Sequence, residues 1–533
     1  MKYKILLLLT LAVLLSMIAA CAGPAPQTVT VVETVIVEKE VEGETITVVE
    51  TVEVVKEVEV EKEVVKEVAM EYDPEWAKTP MEETTTVVLS VESGAQEKTL
   101  GSFHDEILEK LNIDLEVVAH PFSEQYEIQL LDLSSGAGQF DVLSYWPMYT
   151  ADFYKFLMPL GEIAPGGDDW VAKDLAYDGV LDGYRWCYIY KDKFYSAQYD
   201  GDVKLLHYRY DLMNDPDEHA AFVEEYGYDF DINNLTWDQY LDVAKHFQRP
   251  DEDFYGTAEI ANFLAGFGFK DHLWGYGAHL FDYETMDALA GEDFDKCVAS
   301  VQNGQDTFNE ASPPEAHSFE FEDARNQIIV HDRVAMHTLW PDAWKWANDP
   351  NLASENAVCN VAVAEMPGFE RSGKVVHRPN ENGGRVLAIN KAAQSPEAAY
   401  KVIVFFQDPE RTSKLVYNND TWLDPWRKEH VEPEAAAHLC QGCEWNCQLY
   451  MDIIRQSTID GYPALQIPGA GRYHEVMERW ARKAYANQVT AEETCEGIRD
   501  EFNQITDEIG REEQIKEYQN YVDTVLKPKG LYP

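Results

Sequence analysis

This 533-residue chain is poor in positive charge, with 43 Lys and Arg against 96 Asp and Glu and a formal net charge of −53. That balance excludes a nucleic-acid partner, because phosphate binding needs a basic surface. No G-x-S-x-G, H-E-x-x-H, P-loop or dinucleotide fingerprint occurs, so the motif-bearing hydrolases, zinc proteases and nucleotide enzymes find no support. The apolar run from Ile5 to Leu15 is too short to cross hydrocarbon comfortably, since a membrane-spanning helix needs roughly 20 apolar residues. Residues 22–71 contain no Trp, Phe, Tyr or Leu, which leaves them little with which to build a core.

The N-terminus carries positive information. Lys2 and Lys4 precede the apolar run Ile5 to Leu15, and Ile18-Ala19-Ala20 leads into Cys21. A basic start, a short apolar stretch and small residues at the cut predict a secretory signal over 1–21. The cysteine at the cut resembles the bacterial lipobox, which implies a lipidated Cys21 as the mature first residue, on the outer face of the cell membrane. Residues 22–71, almost all Val, Glu, Thr and Lys, read as a solvated tether kept extended by like charges. Their valines follow neither a heptad nor strict alternation, and an oligomerising stalk is the alternative.

Seven further cysteines make an odd number in a chain read as exported, where disulfides form. Cys440, Cys443 and Cys447 are close enough in sequence to predict at least one disulfide among them. His438 beside them suggests zinc only superficially, since a second ligand pair is missing. No metal and no cofactor is expected.

The body exceeds the ~250–300 residues at which one core stops growing, so two lobes are expected. Strands and helices alternate. Thr85 to Val91, Leu115 to Val118, Phe140 to Leu143 and Val386 to Ile389 read as strands. Leu100, Phe103, Ile107 and Leu111 have helical spacing. Thr236 and Gln239 are spaced as a capping box, and Ser395-Pro396-Glu397 opens another helix with proline at its first position. Ile498, Phe502, Ile505 and Ile509 form one stripe of a late helix. Such alternation indicates α/β lobes.

The order of these pieces resembles the extracellular solute-binding proteins of ABC importers, in the sugar-binding group that includes maltose-binding protein. The resemblance rests on Phe140-Asp141-Val142-Leu143, Met158-Pro159-Leu160, Leu206-His207-Tyr208-Arg209-Tyr210-Asp211, Asp332-Arg333-Val334-Ala335-Met336 and Val361 to Gly368. Gly383-Gly384 and Leu387 to Lys391 complete it. It implies a two-lobe periplasmic-binding-protein-like fold of type II, the Venus-flytrap arrangement, with crossing hinge segments. Residues 72–205 and 366–425 would form the first lobe, and 206–365 and 426–533 the second. It further implies capture of a carbohydrate in the cleft and delivery to the transmembrane subunits of an ABC permease.

A sugar site needs aromatic platforms for the C–H face of the ring and polar groups for its hydroxyls. Loop position nominates Glu92 after the first strand, and Tyr145 and Trp146 after the third. Asp200 and Asp202 precede the crossing strand, and Trp340 and Trp344 follow the Val-Ala-Met entry. Asn382 lies at another crossover; Asp424 and Arg427 belong to a Trp-Leu-Asp-Pro-Trp-Arg loop. An enzyme is not expected. The alternatives are an extracellular glycoside hydrolase, which also uses paired carboxylates, or a receptor for a polyol, glycerol phosphate or cationic solute. The strong acidity fits solubility or a cationic ligand.

Overall fold

The computed structural model describes residues 31–41, 44–54, 71–260 and 264–532, in two units divided between Ala69 and Met70. Cys21 and the signal segment lie outside the described residues. In the first unit, β1 (Val31–Val41) and β2 (Glu44–Val54) pair antiparallel in unbroken register, from Val31 opposite Val54 to Val41 opposite Glu44. Over these residues the expected tether is extended, as two paired strands. Val and Thr favour strand backbone.

In the second unit the strands fall into two principal sheets. The first contains β3 (Thr85–Glu92), β4 (Ile113–His120), β5 (Val142–Tyr145), β6 (Leu157–Met158), β7 (Ser196–Asp200) and a late strand, Arg385–Asn390. The second contains β8 (Leu205–Arg209), β9 (Met336–Leu339) and β10 (Val361–Ala364); the late strand of the first sheet is therefore β11. The first sheet runs β4-β3-β5-β11-β6, with β7 also pairing β11. β3 is parallel to β4 and β5, whereas β11 is antiparallel to β5, β6 and β7. In the second sheet β8 lies between β9 and β10, antiparallel to both. Every residue of β5, β8, β9 and β10 is buried, as befits sheets covered on both faces.

Local chemistry explains the covering helices. Between β3 and β4 the chain forms Ala95–Gly101 and His104–Leu111, the latter burying Ile107 and Leu111. Thr236 and Gln239 make the expected reciprocal box at the start of Trp237–His246, with bonds of 2.9 and 3.2 Å. Pro396 opens Pro396–Phe405, but the Ser395 hydroxyl makes no capping bond. Ala265–Gly275, Glu292–Ala311, Ala470–Tyr485 and Ala491–Ile509 pack together; Ile498, Phe502 and Ile505 are buried on the last of these.

The chain leaves the first sheet for the second between Asp200 and Leu205 and returns between Ala364 and Arg385. The two crossings touch, with Val203 bridged to Glu381. A third segment, Tyr462–Pro463, runs parallel to Asn380–Glu381 beside them. Two α/β lobes joined by crossing segments are therefore the architecture.

Disulfides join Cys297 to Cys495, Cys359 to Cys443 and Cys440 to Cys447, while Cys187 is buried and free. All three thiols near His438 are consumed, and its Nε2 faces the Tyr417 carbonyl at 3.2 Å. No helix among the described residues is long and apolar enough to cross a membrane.

Candidate functional site

The chain order of the strands puts their loops on one side. Residues just after β3, β4, β5 and β7 meet residues around β9 at a cavity of about 220 Å³. Ligands in α/β sheets bind beyond the carboxyl ends of strands in this way. Glu92 and Ser93 come from the end of β3, Phe122 from beyond β4 and Trp146 from beyond β5. Asp202 comes from the first crossing segment, Arg385 from the start of β11, and Trp422 and Asp424 from the later loop. The second lobe supplies Leu264, Phe267, Phe321, Trp340 and Asp342.

One guanidinium organises the polar side. Arg385 donates from Nη2 to Glu92 and from Nη1 to Asp200, both at 2.7 Å, and lies 3.8 Å from Asp202. Asp200 also accepts the Asp424 backbone N–H at 2.8 Å. Its position is built by Gly383 and Gly384, whose φ values are +77° and +63°. A Cβ at Gly384 would stand 2.1 Å from the Asp200 carbonyl oxygen, so only glycine permits this approach. The pairing register shifts between Arg385 and Val386, and this bulge carries the arginine to the cavity rim.

The carboxyls crowd one another. One oxygen from each of Asp200, Asp202 and Asp424 lies within 4.8 Å of the others. Burial, then the charge of Asp200, pushes Asp202 up to about 8. Burial likewise raises Asp342 to about 6, and burial with Asp342 and Asp202 holds Asp424 well above the usual carboxylate range. A cation could sit among three such oxygens. However, both Asp200 oxygens already accept bonds, and Arg385 supplies a positive charge against them. The set reads better as a cluster neutralised by Arg385 and by protons.

Six aromatic rings form the apolar side. Trp146 meets Phe122 and Phe267 edge-on, each at 4.9 Å. Trp340 meets Phe267 at 5.7 Å and Phe321 at 5.6 Å; Phe321 also lies 5.8 Å from Trp422. Lys204 Nζ sits 3.8 Å from the Trp340 ring centroid, and the Trp340 indole N–H has no hydrogen-bond partner among the described residues.

Of the residues nominated from sequence, Glu92, Trp146, Asp202, Trp340 and Asp424 line this cavity. The other five do not. Asp200 is held behind it by Arg385. Tyr145 lines an adjoining cavity of about 380 Å³ that shares Phe122 and Trp146. Asn382 accepts from Lys270 at 3.1 Å in the buried crossing region. Trp344 is buried in helix Asp342–Ala347, stacked on Tyr450 at 4.2 Å and bonded to Asn446 at 3.0 Å. Arg427 is buried and spends its guanidinium on the carbonyls of Leu175 and Ala176. Sequence reasoning missed Arg385 and Asp342. Their signals were a charge directly after the glycine pair and an acid inside the Trp-Pro turn. Leu264, Phe267 and Phe321 carried no local signal.

The family model described as "Bacterial extracellular solute-binding protein" matches residues 93–412. No curated protein matches the chain in sequence. Among solved structures, a maltose-bound MalE3 of T. maritima shares 21% identity at a TM-score of 0.62, covering 79% of this chain and 100% of its own. A ribitol complex of an ABC transporter solute-binding protein from Agrobacterium radiobacter K84 shares 15% at 0.63, covering 80% and 100%. A D-mannitol complex from Agrobacterium vitis S4 shares 18% at 0.61, covering 80% and 99%. These likenesses establish the fold.

Proposed function

Because this chain belongs to the bacterial extracellular solute-binding protein family, we propose that it captures a sugar or polyol between its lobes and delivers it to an ABC permease. The observation that carries this reading is the cavity itself, where aromatic rings from both lobes face carboxyl and guanidinium groups. Rings take up the C–H faces of a polyhydroxylated ligand, and Glu92, Asp202, Asp424 and Arg385 exchange hydrogen bonds with its hydroxyls. The maltose, ribitol and mannitol named for the structural neighbours belong to the same ligand class. A cavity drawing on both lobes suits closure about the crossing segments when ligand bridges them. A lipid on Cys21 would hold the receptor at the outer face of the membrane beside its permease.

The test is a thermal-shift and calorimetric screen across neutral, acidic and amino sugars and polyols, with solution scattering on each binder. A ligand that binds, shrinks the radius of gyration and is recovered chemically unchanged supports the reading. Cleavage of a glycoside would make the protein a hydrolase, and failure of every sugar and polyol to bind would end the proposal. Mass spectrometry of the membrane fraction decides the anchor by the presence of a diacylglyceryl adduct on Cys21.

A further inference from the structure

The cavity is lined by more carboxyl groups than cations. Glu92, Asp202, Asp342 and Asp424 line it, and Arg385 is the one cation among its lining residues. Arg385 is committed to Glu92 and Asp200. Asp342 and Asp424 are 3% and 1% exposed, and the Oδ1 of each receives no hydrogen bond from any amide, hydroxyl or cationic group of the described residues.

The neighbouring cations are engaged elsewhere. Lys345 Nζ donates to the Val416 carbonyl at 3.0 Å, the Thr421 hydroxyl at 3.3 Å and the Leu423 carbonyl at 3.1 Å. Lys204 bonds the Thr338 carbonyl at 3.2 Å and pairs with Asp271 at 3.6 Å. Arg325 stacks on Trp346 at 4.2 Å and bonds Asn326. Two buried carboxyls that line a cavity walled by Trp340, Trp422, Phe267 and Phe321 therefore each keep one oxygen without such a donor, and Asp424 shares a hydrogen bond with the Asp202 carboxyl.

Resting on the sugar- or polyol-binding reading above, we propose that the ligand carries a protonated amine, seated at Asp342 and Asp424 with its carbon skeleton against the aromatic walls. A hydroxyl would satisfy one lone pair and leave the mutual repulsion of the acids in place. An ammonium donates three bonds and cancels charge, which buried carboxylates otherwise meet by staying protonated. The rings around it add cation–π attraction in a desolvated setting. A divalent metal fits less well, since it needs oxygen ligands on most sides and these walls are aromatic. The burial that holds Asp202, Asp342 and Asp424 above the ordinary carboxylate range gives this a signature. As the ammonium enters, these carboxyls ionise and release protons, under the combined field of Glu92, Asp200, Arg385, Lys345 and Arg325.

The test uses matched pairs in which one hydroxyl per monosaccharide unit becomes an amine: glucose with 6-amino-6-deoxyglucose, sorbitol with 1-amino-1-deoxysorbitol, and cellobiose with fully deacetylated chitobiose. Affinities are measured at pH 7 by calorimetry in two buffers of different ionisation enthalpy. The expected result is at least a tenfold preference for the amine in a pair that binds, with net proton release. In D342N and D424N that preference narrows to less than threefold. The wild-type comparison stands whether or not the variants fold. If the hydroxyl member of every binding pair is held as tightly as the amine, this proposal falls while the sugar reading survives. If no member of any pair binds, both fall. If calcium chloride alone stabilises metal-stripped protein and hydroxyl ligands then require it, the cation is a metal and the amine proposal is overturned.

Discussion

Arg385 and Asp200 are register partners across the antiparallel pair β7–β11, and the arginine Nη1 donates to the aspartate Oδ2 at 2.7 Å. This pair joins the end of the first lobe's sheet to the first crossing segment. Through the Asp200 bond to the Asp424 N–H it also places the later loop. Asp200 is thus a positioning residue behind the cavity, whereas Asp202, two residues on, faces into it.

The two tryptophans nominated together should behave differently. Trp340→Ala removes a cavity wall and should weaken the best ligand of the sugar and polyol panel by about tenfold or more, near 1.4 kcal/mol per decade. Trp340→Phe should be milder because a ring remains. Trp344→Ala leaves a hole against Tyr450 and should cost about 3–5 kcal/mol of stability, with ligand affinity of the folded protein little changed. Calorimetry paired with urea unfolding separates the two, and a binding defect confined to Trp344 would reverse the assignment.

The buried carboxyls with raised pKa make the ligand-free protein lose stability as pH rises, whereas His207 and His279, both lowered by burial to about 3, and Lys270, lowered to about 7, act in the opposite sense. Asp342 at about 6 and Asp202 at about 8 hold protons in the folded chain that the unfolded chain, with carboxylates titrating near ~4, has already lost. Their contribution is complete below that unfolded range and is lost as pH climbs through about 6 and then about 8. Glu381 and Glu478, both raised by burial to about 7, act in the same sense. Melting temperatures measured from about pH 5 to 8.5 should show Asp202→Asn gaining on the wild type as pH rises, because the variant has no such proton to lose. An unchanged slope in that variant would remove Asp202 from the cause.

Cys297 and Cys495 lie 198 residues apart and tie helix Glu292–Ala311 to helix Ala491–Ile509. A crosslink closing so long a loop restricts the unfolded chain, so the double change to serine should cost about 2–5 kcal/mol. Non-reducing peptide mapping should recover the three observed pairs, with Cys187 alkylated only after unfolding. A different pairing, or Cys187 reacting in the native protein, would contradict the arrangement.

Much of the fold could be read locally. The Thr236–Gln239 box, Pro396 and the stripe through Ile498, Phe502 and Ile505 act within a few residues, so spacing alone exposes them. The paired strands at 31–41 and 44–54 were missed because irregular valines look like neither a heptad nor an amphipathic strand. In the site, Asp202 and Trp340 were legible because each stands just beyond a strand in a recognisable order of motifs. Trp344 was misread because helix Asp342–Ala347 begins between the two tryptophans and turns the second inward. Arg427 was misread because a buried guanidinium bonding backbone carbonyls has the same sequence as one facing a ligand.

The sequence by itself determined the α/β alternation, the family order of motifs, the excess of acid and the pairs of residues at strand ends. Those are local or compositional properties, carried by caps, periodicity and charge. Only the tertiary structure decided which of the many acids share one guanidinium, which are left with open oxygens, and which rings wall the cavity. Asp202, Arg385 and Asp424 converge from segments far apart in the chain. Burial then sets their charge, because it depends on everything packed around them rather than on their neighbours in sequence.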